Sequence, residues 1–86
     1  MYLAKIHVTL KPSVLDPQGV AVSGALRHLG YQEVAELRIG KAMDLKINDQ
    51  GLSLAAAEKR VKKMCEKLLA NTQIERYEFT VKRVKG

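Results

Sequence analysis

Two stretches of the chain alternate between apolar and polar residues. Even positions from Tyr2 to Leu10 are apolar, while Lys5, His7 and Thr9 stand between them. A period of two is typical of a strand with one buried face, and Lys11-Pro12-Ser13 ends this run. Tyr77, Phe79 and Val81 alternate in the same way near the other end. The pattern therefore predicts a first strand over 2–10 and a final strand around 77–81.

A period near 3.6 predicts a first helix from about Pro17 to Leu29. Asp16 stands where an N-cap is needed, because its carboxylate accepts the free N–H groups of the first turn. Pro17 falls at the first helical position, where its fixed φ fits. Gly30 suits the left-handed residue that ends many helices. The expected apolar stripe consists of Ala21, Val22, Ala25, Leu26 and Leu29.

A second helix is predicted after the turn at 48–51. Ser53 is its expected N-cap, and Asn71 is expected to end it. Its apolar stripe is the clearest in the chain and consists of Leu54, Ala57, Val61, Met64, Cys65 and Leu68.

The middle segment predicts one long strand from Val34 to Ile47. Its apolar residues keep one parity across Gly40-Lys41, whereas a two-residue hairpin there would reverse the parity. We therefore expect a single strand that bends or bulges at Gly40. Such a strand would span roughly 46 Å, against a diameter near 30 Å for a compact domain. It must curve, or its end must pair with another subunit.

These elements predict a single domain over residues 1–86 of the α+β class. We expect a two-layer sandwich with two helices on one face of a small, mostly antiparallel sheet. The order is β-α-β-α-β, a ferredoxin-like variant that oligomerises through its strands. If the long strand splits at Gly40, the order becomes a ferredoxin-like βαββαβ.

Composition restricts the location and the partners. No apolar run approaches the ~20 residues that cross a membrane, and the charged N-terminus does not resemble a signal peptide. A single Cys together with these features predicts a cytoplasmic protein.

The net charge of +6 suggests nucleic acid as a candidate partner. Glu58 and Glu66 interrupt the basic cluster of the second helix, so a solvated helix face is favoured.

The sequence offers little catalytic chemistry. Cys65 lies on an apolar helical stripe, where a small buried thiol is the expected role. His7 has the opposite strand parity, so a Cys–His pair is not expected. Two isolated histidines and one Cys form no metal set. Tyr77 and Phe79 share the core parity, which leaves no exposed aromatic platform for stacking RNA bases. No catalytic, cofactor-binding or metal-binding residue is predicted on this chain.

Four short motifs occur in order along the chain: Val14–Gly19, Leu29-Gly30-Tyr31, Arg38–Lys41 and Cys65–Glu75. Together they resemble the PurS family, the small subunits of phosphoribosylformylglycinamidine synthase in purine biosynthesis. The resemblance implies a non-catalytic accessory subunit that bridges a glutaminase (PurQ-type) and an ATP-dependent synthetase (PurL-type). It also implies a homodimer or higher homo-oligomer, with ATP and magnesium used by the complex and not by this chain. The alternatives are a small basic nucleic-acid-binding module and a ferredoxin-like regulatory domain that binds a small molecule.

The residues of these motifs are the expected contacts to partners or to a second copy. They are Asp16, Pro17, Gln18, Gly19, Arg38, Gly40, Lys41, Asn71, Thr72, Ile74 and Glu75. For Asp16, Pro17 and Asn71, a role as cap or turn residue is at least as well supported as a contact role. Arg38 and Lys41 are predicted to lie on a strand, which favours contact for them.

Overall fold

The computed structural model describes residues 1–85. It contains three strands, β1 (Tyr2–Leu10), β2 (Gly40–Ile47) and β3 (Glu75–Arg83), with two helices, α1 (Pro17–His28) and α2 (Leu54–Met64). A π-helical turn, Cys65–Leu69, continues α2. β1 lies in the centre of the sheet and pairs antiparallel with β2 and β3. The α+β class and the antiparallel sheet are confirmed.

The core lies on one face of β1, which we call the helix face. Tyr2, Ala4, Ile6 and Val8 are buried there, as the alternation predicts. Val61 and Cys65 pack against them from the second layer. The half-buried residues that complete this core from β2 and β3 are Met43, Leu45, Ile47, Tyr77, Phe79 and Val81. Lys5 and His7 point to the other, open face and are exposed.

The strand predicted over Val34–Ile47 is wrong in its first half. β2 begins only at Gly40, and residues 34–39 belong to no strand. The register explains the difference, because Thr9 pairs with Gly40 and β1 ends one residue later. Residues before Gly40 therefore have no neighbouring strand to pair with in the single chain. The split into two strands is not seen either, so the order stays β-α-β-α-β.

The helix caps match the sequence-based expectations. Asp16 and Ser53 are the N-caps of α1 and α2. At the end of α1, Gly30 has φ +107°, and its N–H donates to Arg27 O at 3.0 Å. The N–H of Tyr31 donates to Leu26 O at 3.1 Å. These two bonds form a Schellman motif, which satisfies carbonyls that the helix end leaves free.

The two apolar stripes are only partly buried. On the first stripe, Val22 of α1 is 41% exposed, and Leu29, the residue that follows α1, is 72% exposed, because this helix makes only sparse contacts with the other elements. On the second stripe, Ala57, Val61 and Cys65 are fully buried, whereas Leu54, Met64 and Leu68 are exposed. The radius of gyration is 16.8 Å, against about 12 Å for a compact domain of this length.

The start of β1 and the end of β3 are fastened around Tyr2. Its hydroxyl donates to Leu52 O at 2.7 Å and accepts from Arg83 Nη2 at 2.6 Å. The Arg83 guanidinium also lies 4.8 Å from the centre of the Tyr2 ring and pairs with Asp49. Val84 N–H donates to Met1 O, while Gly86 lies outside the described residues. Side-chain contacts therefore hold the elements at this end of the sheet together.

Candidate functional site

The opposite end of the sheet is where most of the predicted contact residues meet. β1 ends there, and β2 and β3 begin there, because both run antiparallel to β1. The N-terminus of α1 lies at the same end. We call this region the strand-end site. It surrounds a cleft of about 260 Å³, whose lining includes Asp16, Pro17, Gln18, Gly40, Lys41 and Glu75.

Asp16 joins two parts of the chain at this site. One carboxylate oxygen, Oδ1, accepts from Gly19 N at 2.9 Å and so caps α1. The other, Oδ2, accepts from Ile39 N at 2.8 Å, just before β2 begins. The residue is 4% exposed. Gly19 lies behind it, where a Cβ would collide with the carbonyl oxygen of Leu37.

The same contacts set the charge of Asp16. The N–H groups of Ile39 and Gly19 are the main cause that holds the pKa of its carboxyl below the ordinary value, with a smaller contribution from the Arg38 cation. Hydrogen bonds to the ionised form favour that form. Asp16 is therefore a carboxylate at neutral pH. A general acid needs a raised pKa, so this environment suits a cap and not an acid catalyst.

Arg38 has an internal role that the sequence did not reveal. The prediction that it lies on a strand is wrong, since β2 begins two residues later. Its Nη2 donates to Lys11 O at 2.9 Å and to Val14 O at 3.0 Å. Arg38 thereby holds the loop between β1 and α1. Both of these bonds come from Nη2, and Glu36 Oε1 lies 3.8 Å from Nη1.

Lys41 and Glu75 face each other across β1 on the helix face. Their charged groups are 3.9 Å apart, and the side chain of Lys41 is 69% exposed. Glu75 also accepts from Asn71 N at 2.7 Å. Asn71 in turn accepts from Gln73 N at 3.2 Å through its side chain. Glu75 thus organises the turn before β3, while Lys41 keeps most of its surface for solvent or a partner.

The remaining predicted contacts lie outside the cleft. Thr72 and Ile74 are exposed on the turn that leads into β3, and Ile74 O accepts from Lys11 N at 2.8 Å. Asn71 is exposed on the same turn. Of the predicted contact residues, those at the start of α1, those at the start of β2 and Glu75 therefore line the cleft, whereas the 71–74 turn lies beside it.

Sequence reasoning missed a second cleft at this end, on the open face. It has a volume of about 340 Å³ and is lined in part by His7, Thr9, Arg76 and Glu78. Arg76 Nε lies 3.4 Å from Thr9 Oγ1. The register pairs Thr9 with Arg76 and His7 with Glu78. Only the pairing of β1 with β3 brings these residues together, so no local motif marks them.

The structure also bears on catalysis and on nucleic-acid binding. Burial is the main cause that raises the pKa of the Cys65 thiol, and His7 lies on the opposite face of the sheet. Within residues 1–85, no three His, Cys, Asp or Glu side chains are grouped to hold a metal ion. Tyr77 and Phe79 stack at 6.2 Å on the helix face, so they offer no RNA platform on the open face.

No helix in the described part of the chain is long and apolar enough to cross a membrane. What the fold and the site define is a small α+β module that presents surfaces and clefts at one end of a sheet. The class is that of a small α+β domain with an antiparallel three-stranded sheet and clefts at one end of it.

Comparison with known proteins identifies the family. Residues 3–83 match the family PurS, described as phosphoribosylformylglycinamidine (FGAM) synthase, and the chain belongs to this family. The PurS subunit of FGAM synthase from Bacillus subtilis is 52% identical over 84 residues, which are 98% of this chain and 96% of that protein. The corresponding Synechocystis subunit is 45% identical and covers 99% of this chain and 83% of its own length.

Solved structures agree with this assignment. The structure of B. subtilis PurS aligns with a TM-score of 0.84 at 52% identity, covering 96% of this chain and all of that one. A chain in the structure of PurLQS from Thermotoga maritima aligns with a TM-score of 0.72 at 31% identity, covering 94% of this chain and 98% of that one. The resemblance found in the four motifs is confirmed over nearly the whole chain.

Proposed function

We propose that this chain is the non-catalytic accessory subunit of FGAM synthase. It bridges the glutaminase and the ATP-dependent synthetase, so that ammonia from glutamine reaches formylglycinamide ribonucleotide. The observation that carries the proposal is the alignment of nearly the whole chain with a chain of the PurLQS structure. The poor setting of Cys65 for nucleophilic chemistry supports the non-catalytic part.

The chemistry of ammonia gives such a subunit its purpose. In neutral water ammonia takes up a proton, and ammonium has no lone pair with which to attack. Two active sites on separate chains therefore need a fixed relative position and a protected route. Holding reactive partners in place removes much of the entropic barrier between them. On this proposal, ATP and magnesium act in the complex on the other subunits, and assembly takes place in the cytoplasm.

The strand-end site is the proposed contact surface toward the partners. Lys41 supports this, because its side chain is largely exposed, and so do Pro17 and Gln18, which line the cleft and are exposed. Asp16, Gly19 and Arg38 support it indirectly, since their hydrogen bonds and close packing hold the backbone that shapes this end. Thr72 and Ile74 extend the same surface along the 71–74 turn.

The shape of the single chain supports a homo-oligomer. Its principal extents are 53 × 29 × 14 Å, so it is flat and long. The apolar side chains of α1 lie largely exposed, and residues 34–39 have no strand partner. β2 and β3 are edge strands, whose free backbone groups are ready to pair. A second copy that covers α1 and pairs with these edges would bury this surface.

Reconstitution tests the function directly. Glutamine-dependent formation of the amidine is measured with the purified synthetase and glutaminase subunits, with and without this chain. We expect a large loss of glutamine-dependent activity without it, whereas activity with added ammonia should change little. Equal glutamine-dependent rates in both mixtures would contradict the proposal.

The contact surface is tested by pull-down of the two larger subunits. Lys41→Ala should weaken their capture, because it removes an exposed charge. Arg38→Ala should also weaken it, by loosening the loop before α1, and should lower the thermal midpoint as well. Unchanged capture by the Lys41→Ala variant would show that Lys41 does not belong to the contact surface.

A further inference from the structure

Two hydrogen bonds of the strand-end site meet at Lys11. Its carbonyl oxygen accepts from Arg38 Nη2 at 2.9 Å, and its N–H donates to Ile74 O at 2.8 Å. Pro12 follows it, and a residue before proline is largely restricted to extended conformations. The N–H and the carbonyl of Lys11 therefore keep a fixed relative direction. Through Lys11, a constraint at Arg38 reaches Ile74.

The backbone next to Arg38 is itself held in place. Ile39 N–H donates to Asp16 Oδ2 at 2.8 Å, and Gly40 pairs with Thr9 in the sheet. The side chain of Arg38 is 31% exposed, and a hydrogen bond from a charged guanidinium is stronger than one between neutral groups. Arg38 therefore reaches from a fixed segment of the chain to the loop before α1.

The 71–74 turn is joined to the start of β2 by a second route. Glu75 Oε1 accepts from Asn71 N at 2.7 Å, and Glu75 Oε2 lies 3.9 Å from Lys41 Nζ. The N–H of Glu75 also donates to Asn71 O at 2.7 Å. The backbone around the start of β2 is thus connected to this turn twice, through Lys11 and through Lys41.

We propose that Arg38 is a positioning residue for the whole strand-end site. Through Lys11 it fixes the 71–74 turn, although its own hydrogen bonds end at the loop before α1. The three segments that meet there order and open as one unit; they are 11–16, 37–41 and 71–75. This role rests on the proposed function, because a surface that is ordered beforehand loses less conformational entropy when it binds the larger subunits.

Amide hydrogen exchange of the wild-type chain, followed by NMR at increasing urea concentration, tests the shared opening. The N–H groups of Lys11, Ile39 and Ile74 donate to three different acceptors. We expect these amides to share one opening free energy with one urea dependence. The N–H groups of Leu52 and Val84, at the opposite end of the sheet, should open separately. Different openings for Ile39 and Ile74, or one opening for all five amides, would overturn the proposal.

Substitutions of Arg38 test its position in this unit. Arg38→Met removes the donors but keeps an unbranched side chain, whereas Arg38→Lys keeps a charged donor. The control is Lys82→Met, which removes an exposed charge from the other end of β3. We expect Arg38→Met to speed exchange at both Lys11 and Ile74 by about ten-fold or more, as for the loss of a hydrogen bond to a charged group. Arg38→Lys should restore most of the protection, and the control should change exchange by less than about three-fold.

Two patterns of exchange would contradict this role. Acceleration at Lys11 alone would mean that Arg38 acts only on its own loop. Equal acceleration at Leu52 would mean a general loss of stability.

The consequence for assembly is measured by titrating each variant against fixed amounts of the synthetase and glutaminase subunits. For Arg38→Met, the chain concentration that gives half-maximal glutamine-dependent activity should rise by about ten-fold. The rate at saturation should stay within about two-fold of wild type, because the docked geometry is the same. Arg38→Lys and Lys82→Met should lie near wild type in both values.

The outcomes separate the positioning role from the proposed function. An unchanged half-maximal concentration with Arg38→Met, despite faster exchange at Ile74, would overturn the positioning role. A change of oligomeric state in light scattering would overturn it too, because Arg38 would then act at the contact between copies. If the wild-type chain supports no glutamine-dependent activity, the proposed function fails, whereas the shared opening is decided by exchange alone.

Discussion

Asp16 is one side chain that fixes two backbone segments. Its two carboxylate oxygens accept from Gly19 N and Ile39 N, so it caps α1 and also sets where β2 approaches. The sequence identified the cap, because capping involves neighbours within three residues. The bond to Ile39 lies 23 residues away in sequence, and no local pattern could indicate it.

We predict that Asp16 makes the stability of the chain depend on acid. The folded-state pKa is lowered from 3.8 by the bonds from Ile39 and Gly19. The stabilisation is therefore complete above the unfolded-state pKa and is lost as pH falls through about 4 and below. Asp16→Asn offers one acceptor oxygen and no charge, so it should be less stable than wild type at pH 7, with the gap shrinking toward pH 3. Urea unfolding at both pH values measures this, and equal pH dependence in the two proteins would contradict it.

At the scale of elements, α1 contains two glycines with opposite surroundings. A Cβ added at Gly24 would meet nothing within 4 Å, whereas one at Gly19 would meet the carbonyl oxygen of Leu37 and atoms of the Asp16 carboxylate. Both positions are helical. The difference shows that the first turn of α1 is packed tightly against residues before β2, while the middle of the helix is open.

This contrast predicts opposite effects of the same substitution. Gly24→Ala should raise the free energy of unfolding by about 0.5–1 kcal/mol, because alanine restricts the unfolded chain and favours the helix. Gly19→Ala should lower it by about 1–3 kcal/mol, because the backbone must shift. Denaturant unfolding at one protein concentration measures both values. A stabilising Gly19→Ala would show that the close approach of Leu37 is absent.

The π-helical turn makes a second prediction for neighbouring leucines. Leu69 packs against the core, so Leu69→Ala should lower the free energy of unfolding by about 1–3 kcal/mol. Leu68 is 84% exposed, so Leu68→Ala should change it by less than about 0.5 kcal/mol. An uninterrupted α-helix would place Leu68 on the buried stripe and reverse the order. Thermal or urea unfolding of the two variants therefore reports the local helix geometry.

At the scale of the whole molecule, the single chain leaves many side chains of its two apolar helical stripes exposed. α1 lies apart from the core, and the long dimension reaches 53 Å. A short chain gains little stability from a core of this size. Association with a second copy or with larger subunits would supply the missing burial, and this links the stability of the fold to the proposed function.

The stability of the isolated chain should therefore depend on its concentration. If a second copy covers α1, mass action stabilises the folded form as concentration rises. We expect the midpoint of thermal unfolding to rise by several degrees between about 1 μM and 100 μM. Val22→Asp places a charge on the exposed face of α1 and should abolish this dependence. A midpoint that is the same at all concentrations would indicate a monomer.

The sequence by itself determined the elements whose signals are local. β1 and β3 follow from alternation, and both helix starts follow from Asp16-Pro17 and Ser53, because caps and strand faces depend on residues a few positions apart. The same local motifs indicated the family. They also indicated most residues of the strand-end site, although not that these residues share one end of a sheet.

Only the tertiary structure decided which apolar residues are buried and which are offered to partners. The first half of the predicted long strand is unpaired, because β1 ends before it can provide a neighbour. Arg38 donates to two backbone carbonyls of the loop at 11–14 and so holds that loop in place. The π-helical turn places Leu68 at the surface, where an uninterrupted α-helix would place it in the core. Periodicity cannot separate a stripe that packs within the chain from one that packs against another chain. That distinction depends on which surfaces the register of β1 brings into contact.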